Sequence, residues 1–253
     1  LPICLFVAML LLLSSCGSVP LTGRKQVLLV SDQEVLSSSL TQYSDYMKSA
    51  KKSSSKDGAA MVTRVGKKIA AATEQYLRNN GLESEIKNFA WEFNLVNDPQ
   101  VNAFCMPGGK IVVYEGLMQL VSSDDELAVV VGHEVAHAVA KHSNERMSQQ
   151  LMAQYGAQIL GQALSNKSAA VQKIGASVYG LGAQYGVMLP FSRKHESEAD
   201  YMGLVFMAMA GYNPAVAVNF WQKMSAGKSG STPEFMSTHP SDATRINRSE
   251  ERR

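Results

Sequence analysis

The segment Val130-Val131-Gly132-His133-Glu134-Val135-Ala136-His137 decides how this chain is read. It has the form H-E-x-x-H. On a helix, residues four apart share a face, so His133 and His137 present two imidazoles to one point. Glu134 follows the first imidazole directly and reaches the same space. The pattern supplies two metal ligands and a base for a water molecule from one helical turn.

The flanking residues support a helix. Ser122-Ser123-Asp124-Asp125-Glu126 offers a Ser cap, acids in the first turn and Glu126 three residues after Ser123 as a capping box. From Leu127 to Val139 only Gly132 interrupts the helix formers, and the helix is expected to run to about Met147. Apolar residues surround the motif on most sides. Two histidines and a glutamate are costly to bury there without a partner, and a metal ion is such a partner. A helix with satisfied core histidines is the plainer alternative.

A catalytic zinc takes three protein ligands and keeps a fourth position open for water. Downstream, Ser192-Arg193-Lys194-His195-Glu196-Ser197-Glu198-Ala199-Asp200 offers the third. Glu196 and Asp200 are four apart and share a helical face. Glu196 is the expected metal ligand, and Asp200 is expected to orient a ligand imidazole from behind. Glu198 points elsewhere and is expected in solvent. His142 lies five residues from His137, rotated off the ligand face of a continuous helix, and His195 faces away from Glu196. Both are expected to be structural or on the surface.

H-E-x-x-H followed by E-x-x-A-D resembles the gluzincin family that contains the CAAX prenyl protease and HtpX. Asn102-Ala103-Phe104, Pro107-Gly108-Gly109 and Lys110-Ile111-Val112-Val113 look like the family's edge-strand segment. Gly116-Leu117 fits as well, and Thr238-His239-Pro240 with Arg245 looks like its C-terminal His-Pro motif. The resemblance spans about Asp98 to Ile246, and Cys105 departs from the small residue expected at its position. It implies an α+β fold, mainly helical, with a small antiparallel sheet. It implies one Zn2+ per chain on His133, His137 and Glu196, and Glu134 as general base of a metalloendopeptidase. His239 and Arg245 would stabilise the oxyanion, or His239 would bind the zinc at rest. An extended peptide would lie along Asn102, Ala103 and Phe104. The expected substrates are extended or misfolded cell-envelope proteins. An assembly factor or chaperone-like binding protein with a latent zinc site is the alternative.

The N-terminus suggests a compartment. Ile3 to Leu13 is an apolar run too short to span a membrane, and small residues follow it, as in a secretory signal. The order Leu13-Ser14-Ser15-Cys16 resembles a bacterial lipobox, which would make Cys16 the first mature residue and the site of a lipid. The expected organisation is a signal peptide over 1–15, a lipid-anchored tether over 16–30 and a metallopeptidase domain over 31–253. The expected setting is the periplasm-facing membrane surface of a bacterial envelope.

The chain has 253 residues, enough for a substantial core, and three cysteines. With Cys4 in the signal and Cys16 lipidated, Cys105 has no disulfide partner and is expected to act as a small apolar residue. Net charge is +2 with both signs interspersed, which gives no footprint for nucleic acid. The Ser-rich basic run Lys48 to Lys56 reads as a loop.

Elsewhere the patterns are plain. Ser31-Asp32-Gln33-Glu34 is a capping box and opens a helix to Lys48. Met61, Val65, Ile69, Ala72 and Tyr76 mark an amphipathic helix that ends at Asn79-Asn80-Gly81. Phe89, Trp91, Phe93 and Leu95 alternate as in a half-buried strand, and Val101–Met106 with Lys110–Tyr114 reads as a hairpin. Gln150 to Leu189 reads as two helices around Ser165-Asn166-Lys167-Ser168, or as a flap over the site. Helices follow over Arg193–Ala210 and Pro214–Ala226, then a loop to Pro233 and a short helix from Ser241.

Overall fold

The computed structural model describes residues 16–184, 188–226 and 239. The signal peptide expected over 1–15, Arg245, the loop after Gly227 and the helix after Ser241 lie outside them.

Helix α1, Asp32–Ser49, starts at a complete capping box: Ser31 Oγ accepts from the Glu34 amide and Glu34 accepts from the Ser31 amide. Helix α2, Lys56–Asn79, is capped by Ser55 and buries Val62, Val65, Ile69 and Leu77. A one-turn helix α3, Glu83–Ile86, leads into the sheet.

Strands β3 (Glu92–Val96), β4 (Ala103–Met106) and β5 (Lys110–Tyr114) form a sheet in the order β3-β5-β4. β4 and β5 are the expected antiparallel hairpin, but β3 runs parallel to β5, so the sheet is mixed rather than antiparallel. After β3 the chain passes to the far side of β5, returns as β4 and reverses once more at the hairpin. That second reversal aligns β5 with β3. Gly108 and Gly109 take φ of +95° and +77° at the turn, a region that favours glycine. β5 is buried on both faces, and β4 is left as an edge.

After a short helix α4, Glu115–Met118, the motif helix α5 covers Asp124–Val139. Ser123 caps it, and Leu127 to Ala136 is buried throughout. It ends eight residues before the expected Met147. Lys141 is left-handed, φ +57°, which breaks the helical path before α6, His142–Leu164. The Lys141 ammonium holds this kink through Asp32 at 2.5 Å and Glu85 at 2.8 Å. Helix α7, Ala169–Ala183, returns along α6 after the expected polar turn. Helix α8, Leu189–Met209, ends before Gly211 at φ +83°. A 3-10 turn, Pro214–Val216, and helix α9, Ala217–Ser225, complete the described elements.

α5 and α8 touch backbone to backbone. A Cβ on Gly132 would lie 2.8 Å from the Gly203 carbonyl oxygen, and one on Gly203 would lie 2.7 Å from the His133 amide nitrogen. Only paired glycines permit this approach, and it brings the two motif helices into register.

The segment expected as a tether is docked. β1 (Cys16–Ser18) pairs antiparallel with β2 (Lys25–Val27), with Cys16 opposite Val27. Val19 joins the main core, and the turn projects Arg24 between buried carboxylates. Among the described residues no helix is long and apolar enough to cross a membrane.

Candidate metal centre

Four donors converge where α5 meets α8. His133 Nε2 and His137 Nε2 are 3.0 Å apart. Glu196 Oε2 lies 3.3 Å from His133 Nε2, and Glu196 Oε1 lies 3.4 Å from His137 Nε2. His239 Nδ1 completes the set, 3.3 Å from His133 Nε2 and 3.0 Å from Glu196 Oε2. Among the described residues this is the one such cluster, with all ligand atoms within 4.8 Å of one another.

Hydrogen bonds behind the ligands set their tautomers. His133 Nδ1 donates to Asp200 Oδ1 at 2.9 Å, so its Nε2 carries a lone pair. His137 Nδ1 lies 2.8 Å from His142 Nδ1, and His142 Nε2 lies 3.1 Å from Glu198 Oε2. His142 Nε2–H donates to this carboxylate. His142 Nδ1 therefore accepts from His137, and the His137 Nε2 lone pair also faces the cluster. Burial holds His137 and His142 well below the usual histidine range, so both stay neutral.

This chemistry fits a cation. Two lone pairs 3.0 Å apart, with a carboxylate facing both, repel one another unless a positive charge lies between them. Donors on a tetrahedron of about 2.0–2.1 Å radius are about 3.3 Å apart, close to the spacings here. Burial pushes the Glu196 carboxyl up, but the His133, His137 and His239 rings facing it outweigh this and hold it far below its usual range. It remains an anionic donor.

Glu134 stands beside the donors without joining them. Its Oε2 accepts from the Cys105 amide at 3.1 Å. Its Oε1 is buried without a hydrogen bond among the described residues, and His239 Nε2 is 3.5 Å away. Burial raises its pKa, which makes it a stronger base than an exposed carboxylate.

The expected peptide edge is partly committed elsewhere. The Asn102 carbonyl accepts from the Tyr114 amide, and the Phe104 ring packs edge-on against Tyr46 and Tyr114. Alternation along the antiparallel pair turns the Ala103 and Cys105 main chain toward the open edge. The Cys105 amide is the group that reaches Glu134, and sequence reasoning did not single it out. The Cys105 thiol is pushed well above its usual value by burial, with the Glu134 charge adding to it, so it stays protonated.

Two sequence expectations need correction. Glu198 is buried rather than solvated: Thr22 Oγ1, Arg24 Nε and His142 all bind it. His142 is buried behind His137 because the kink at Lys141 turns the start of α6 back toward the motif. A continuous helix would have rotated it away. His195 stacks on His142 with ring centroids 4.2 Å apart, and its Nε2 lies 2.8 Å from Glu145. Arg24 binds both Glu145 oxygens at 2.9 and 2.7 Å and Glu198 at 2.7 Å. A buried relay thus runs from the N-terminal hairpin to His137.

The family model described as Peptidase family M48 matches residues 63–253. The chain belongs to peptidase family M48. This is a family of zinc metallopeptidases, and the four-donor cluster could hold such an ion. The mitochondrial metalloendopeptidase OMA1 of Schizosaccharomyces pombe is 36% identical over 75% of this chain and 51% of its own length. The Danio rerio protein of the same name is 29% identical over 96% of this chain and 51% of its own. The beta-barrel assembly-enhancing protease of Yersinia pestis is 32% identical over 62% of this chain and 33% of its own. The chain therefore spans about half the length of the first two M48 relatives and a third of the last. These matches overturn the expected bacterial, periplasm-facing setting, since relatives matched over 75% and 96% of this chain are mitochondrial by name.

Proposed function

We propose that the chain is a zinc-dependent endopeptidase of extended or misfolded polypeptides. The observation that carries this reading is the placement of Glu134. One oxygen is fixed by the main chain of the edge strand, and the other is open toward the four donors. M48 relatives named metalloendopeptidase and protease support it.

Zinc held by His133, His137 and Glu196 would supply a Lewis acid that lowers the pKa of water and polarises a carbonyl. Glu134 takes the proton from the attacking water and passes it to the leaving amine. Asp200 keeps the His133 lone pair turned inward. The carbonyls of Ala103 and Cys105 accept from a peptide laid along β4 as an added strand, which gives affinity with little sequence preference, while their amides bond Asn102 Oδ1 and Glu134. Arg245 is proposed to stabilise the oxyanion, on the motif resemblance alone, and His239 to hold the zinc at rest.

The experiment is cleavage of an unfolded protein by the purified chain. Activity is expected to vanish with a zinc chelator, return with zinc, and vanish in Glu134→Gln although zinc stays bound. Cleavage that persists in Glu134→Gln would overturn the reading.

A second reading has its own observation. His239 Nδ1 stands where a fourth ligand closes the shell, which favours a latent zinc site in an assembly factor or chaperone-like protein. Binding of unfolded chains without cleavage, unchanged in His239→Ala, would favour it. A lipid on Cys16 rests on Leu13-Ser14-Ser15-Cys16. An acyl mass on residue 16 of the intact protein would support it, and a free thiol would remove it.

A further inference from the structure

The α6–α7 hairpin has apolar side chains on more than one face. Leu160, Leu164 and Tyr179 line the groove between the helices, together with Ala157, Ala176 and Gln172. At 100° per residue, Met152, Tyr155 and Ile159 lie within about 40° of the direction opposite Ala157. Val171, Ile174, Val178 and Leu181 stand in the same relation to Ala176. Their exposures are high: Tyr155 60%, Ile159 68%, Ile174 64% and Val178 64%. Seven of the eleven large apolar side chains exposed among the described residues are on this hairpin, so the stripe is a local feature and not the general surface.

Its charge is equally one-sided. Between Arg146 and Arg193 the only charged residues are Lys167 and Lys173, although the whole chain carries 22 carboxylates. Both lysines are exposed, one in the turn and one on the second turn of α7. A hairpin that exposes large apolar groups and two flanking cations, with no anion, is complementary to an anionic lipid interface. The polar turn Ser165–Ser168 opposes insertion tip first. No helix here is long and apolar enough to cross a bilayer.

We propose that the α6–α7 hairpin is a membrane-docking element. Its outward stripes enter the boundary between acyl chains and headgroups, and Lys167 and Lys173 meet anionic phospholipid headgroups. The hairpin joins the second half of the metal motif, through α6, to the segment leading into α8. Docking would hold the catalytic body beside a membrane independently of any lipid on Cys16.

The test uses the full chain with Cys16→Ser, so that no acyl group contributes. It is sedimented at low salt with vesicles of phosphatidylcholine, alone or mixed with phosphatidylglycerol. Binding to the mixed vesicles is expected, with little to phosphatidylcholine alone. Lys167→Gln with Lys173→Gln should weaken binding more than about tenfold. Ile159→Ser, Ile174→Ser and Val178→Ser together should abolish it. A Tyr155→Trp reporter keeps the test decisive should the triple variant misfold: its added fluorescence should be quenched by lipids brominated on the acyl chains. No binding to anionic vesicles, equal binding by the triple variant, or no quenching overturns the proposal. A dimer that the triple variant dissolves, without vesicle binding, would overturn it too and assign the face to a second copy of the chain.

Discussion

His142 Nδ1 lies 2.8 Å from His137 Nδ1, and this contact sets which nitrogen of His137 faces the four-donor cluster.

Replacing His142 by Ala leaves the His137 Nδ1–H buried without its acceptor and frees the ring to adopt the wrong tautomer. Zinc affinity should fall about 10–100-fold, the usual effect of losing a partner behind a ligand. Gln at 142 retains an acceptor toward His137 and a donor toward Glu198, and should recover part of the loss. Competition with a chromophoric chelator measures both. Equal affinity in all three proteins would show that His142 only fills space.

The glycine pair acts through distance. Gly203→Ala puts a methyl group 2.7 Å from the His133 amide nitrogen, against backbone that cannot yield like a flexible side chain. The helices must separate, costing about 1–3 kcal/mol, in the range for overpacked interiors. Because Glu196 rides on α8, zinc affinity should fall in the same variant. Thermal unfolding with and without zinc separates the two effects. A variant that loses stability while keeping full affinity would show that the donors tolerate the displacement.

Much of this architecture was legible in the sequence, for identifiable reasons. The Ser31–Glu34 and Ser123–Glu126 caps are local, and local rules located those helix starts. Glu196 and Asp200 were found because four-residue spacing fixes a shared face. The kink at Lys141 was missed because nothing in Ala140-Lys141-His142 breaks a helix. Contacts with Asp32 and Glu85, remote in sequence, hold that left-handed residue in place. Glu198 was misplaced for the same reason, since its partners Thr22 and Arg24 come from a segment read as a tether. The parallel pairing of β3 with β5 is a topological fact that alternation along single strands does not encode.

Arg24 ties the N-terminal hairpin to this interior. Arg24→Ala leaves Glu145 and Glu198 buried without their guanidinium, with His195, Thr22 and His142 as remaining partners, and a loss of up to about 3–5 kcal/mol is expected for breaking such a pair from one side. The pH dependence has a definite sign. Burial pushes Glu145 up, but hydrogen bonds from His195 and Arg24 prevail and bring it to about 2 from an ordinary 4.5. A carboxyl with a depressed folded-state pKa stabilises fully above its unfolded value and loses that contribution as pH falls through the folded one. The wild-type chain should therefore lose stability progressively from about pH 4.5 toward pH 2. Arg24→Ala should flatten that slope. Urea titrations across this range measure it, and parallel slopes in the two proteins would remove Arg24 as the group holding Glu145 down.

His239 supplies the last prediction. Its Nδ1 is within 3.3 Å of His133 Nε2 and 3.0 Å of Glu196 Oε2, in the place that water needs for attack. Its Nε2 sits 3.5 Å from the Glu134 oxygen that must receive the proton. A histidine in that position blocks the nucleophile and occupies the base together. His239→Ala should raise cleavage of an unfolded protein severalfold. Because one of four donors is lost, it should also speed zinc release to a chelator. The two changes in the same variant distinguish a resting ligand from an oxyanion donor, whose removal lowers kcat by about 10²–10³ and leaves zinc release unchanged. The wild-type rate should rise where His239 is drawn away from Glu196, so a substrate that displaces it would show a lag that His239→Ala abolishes.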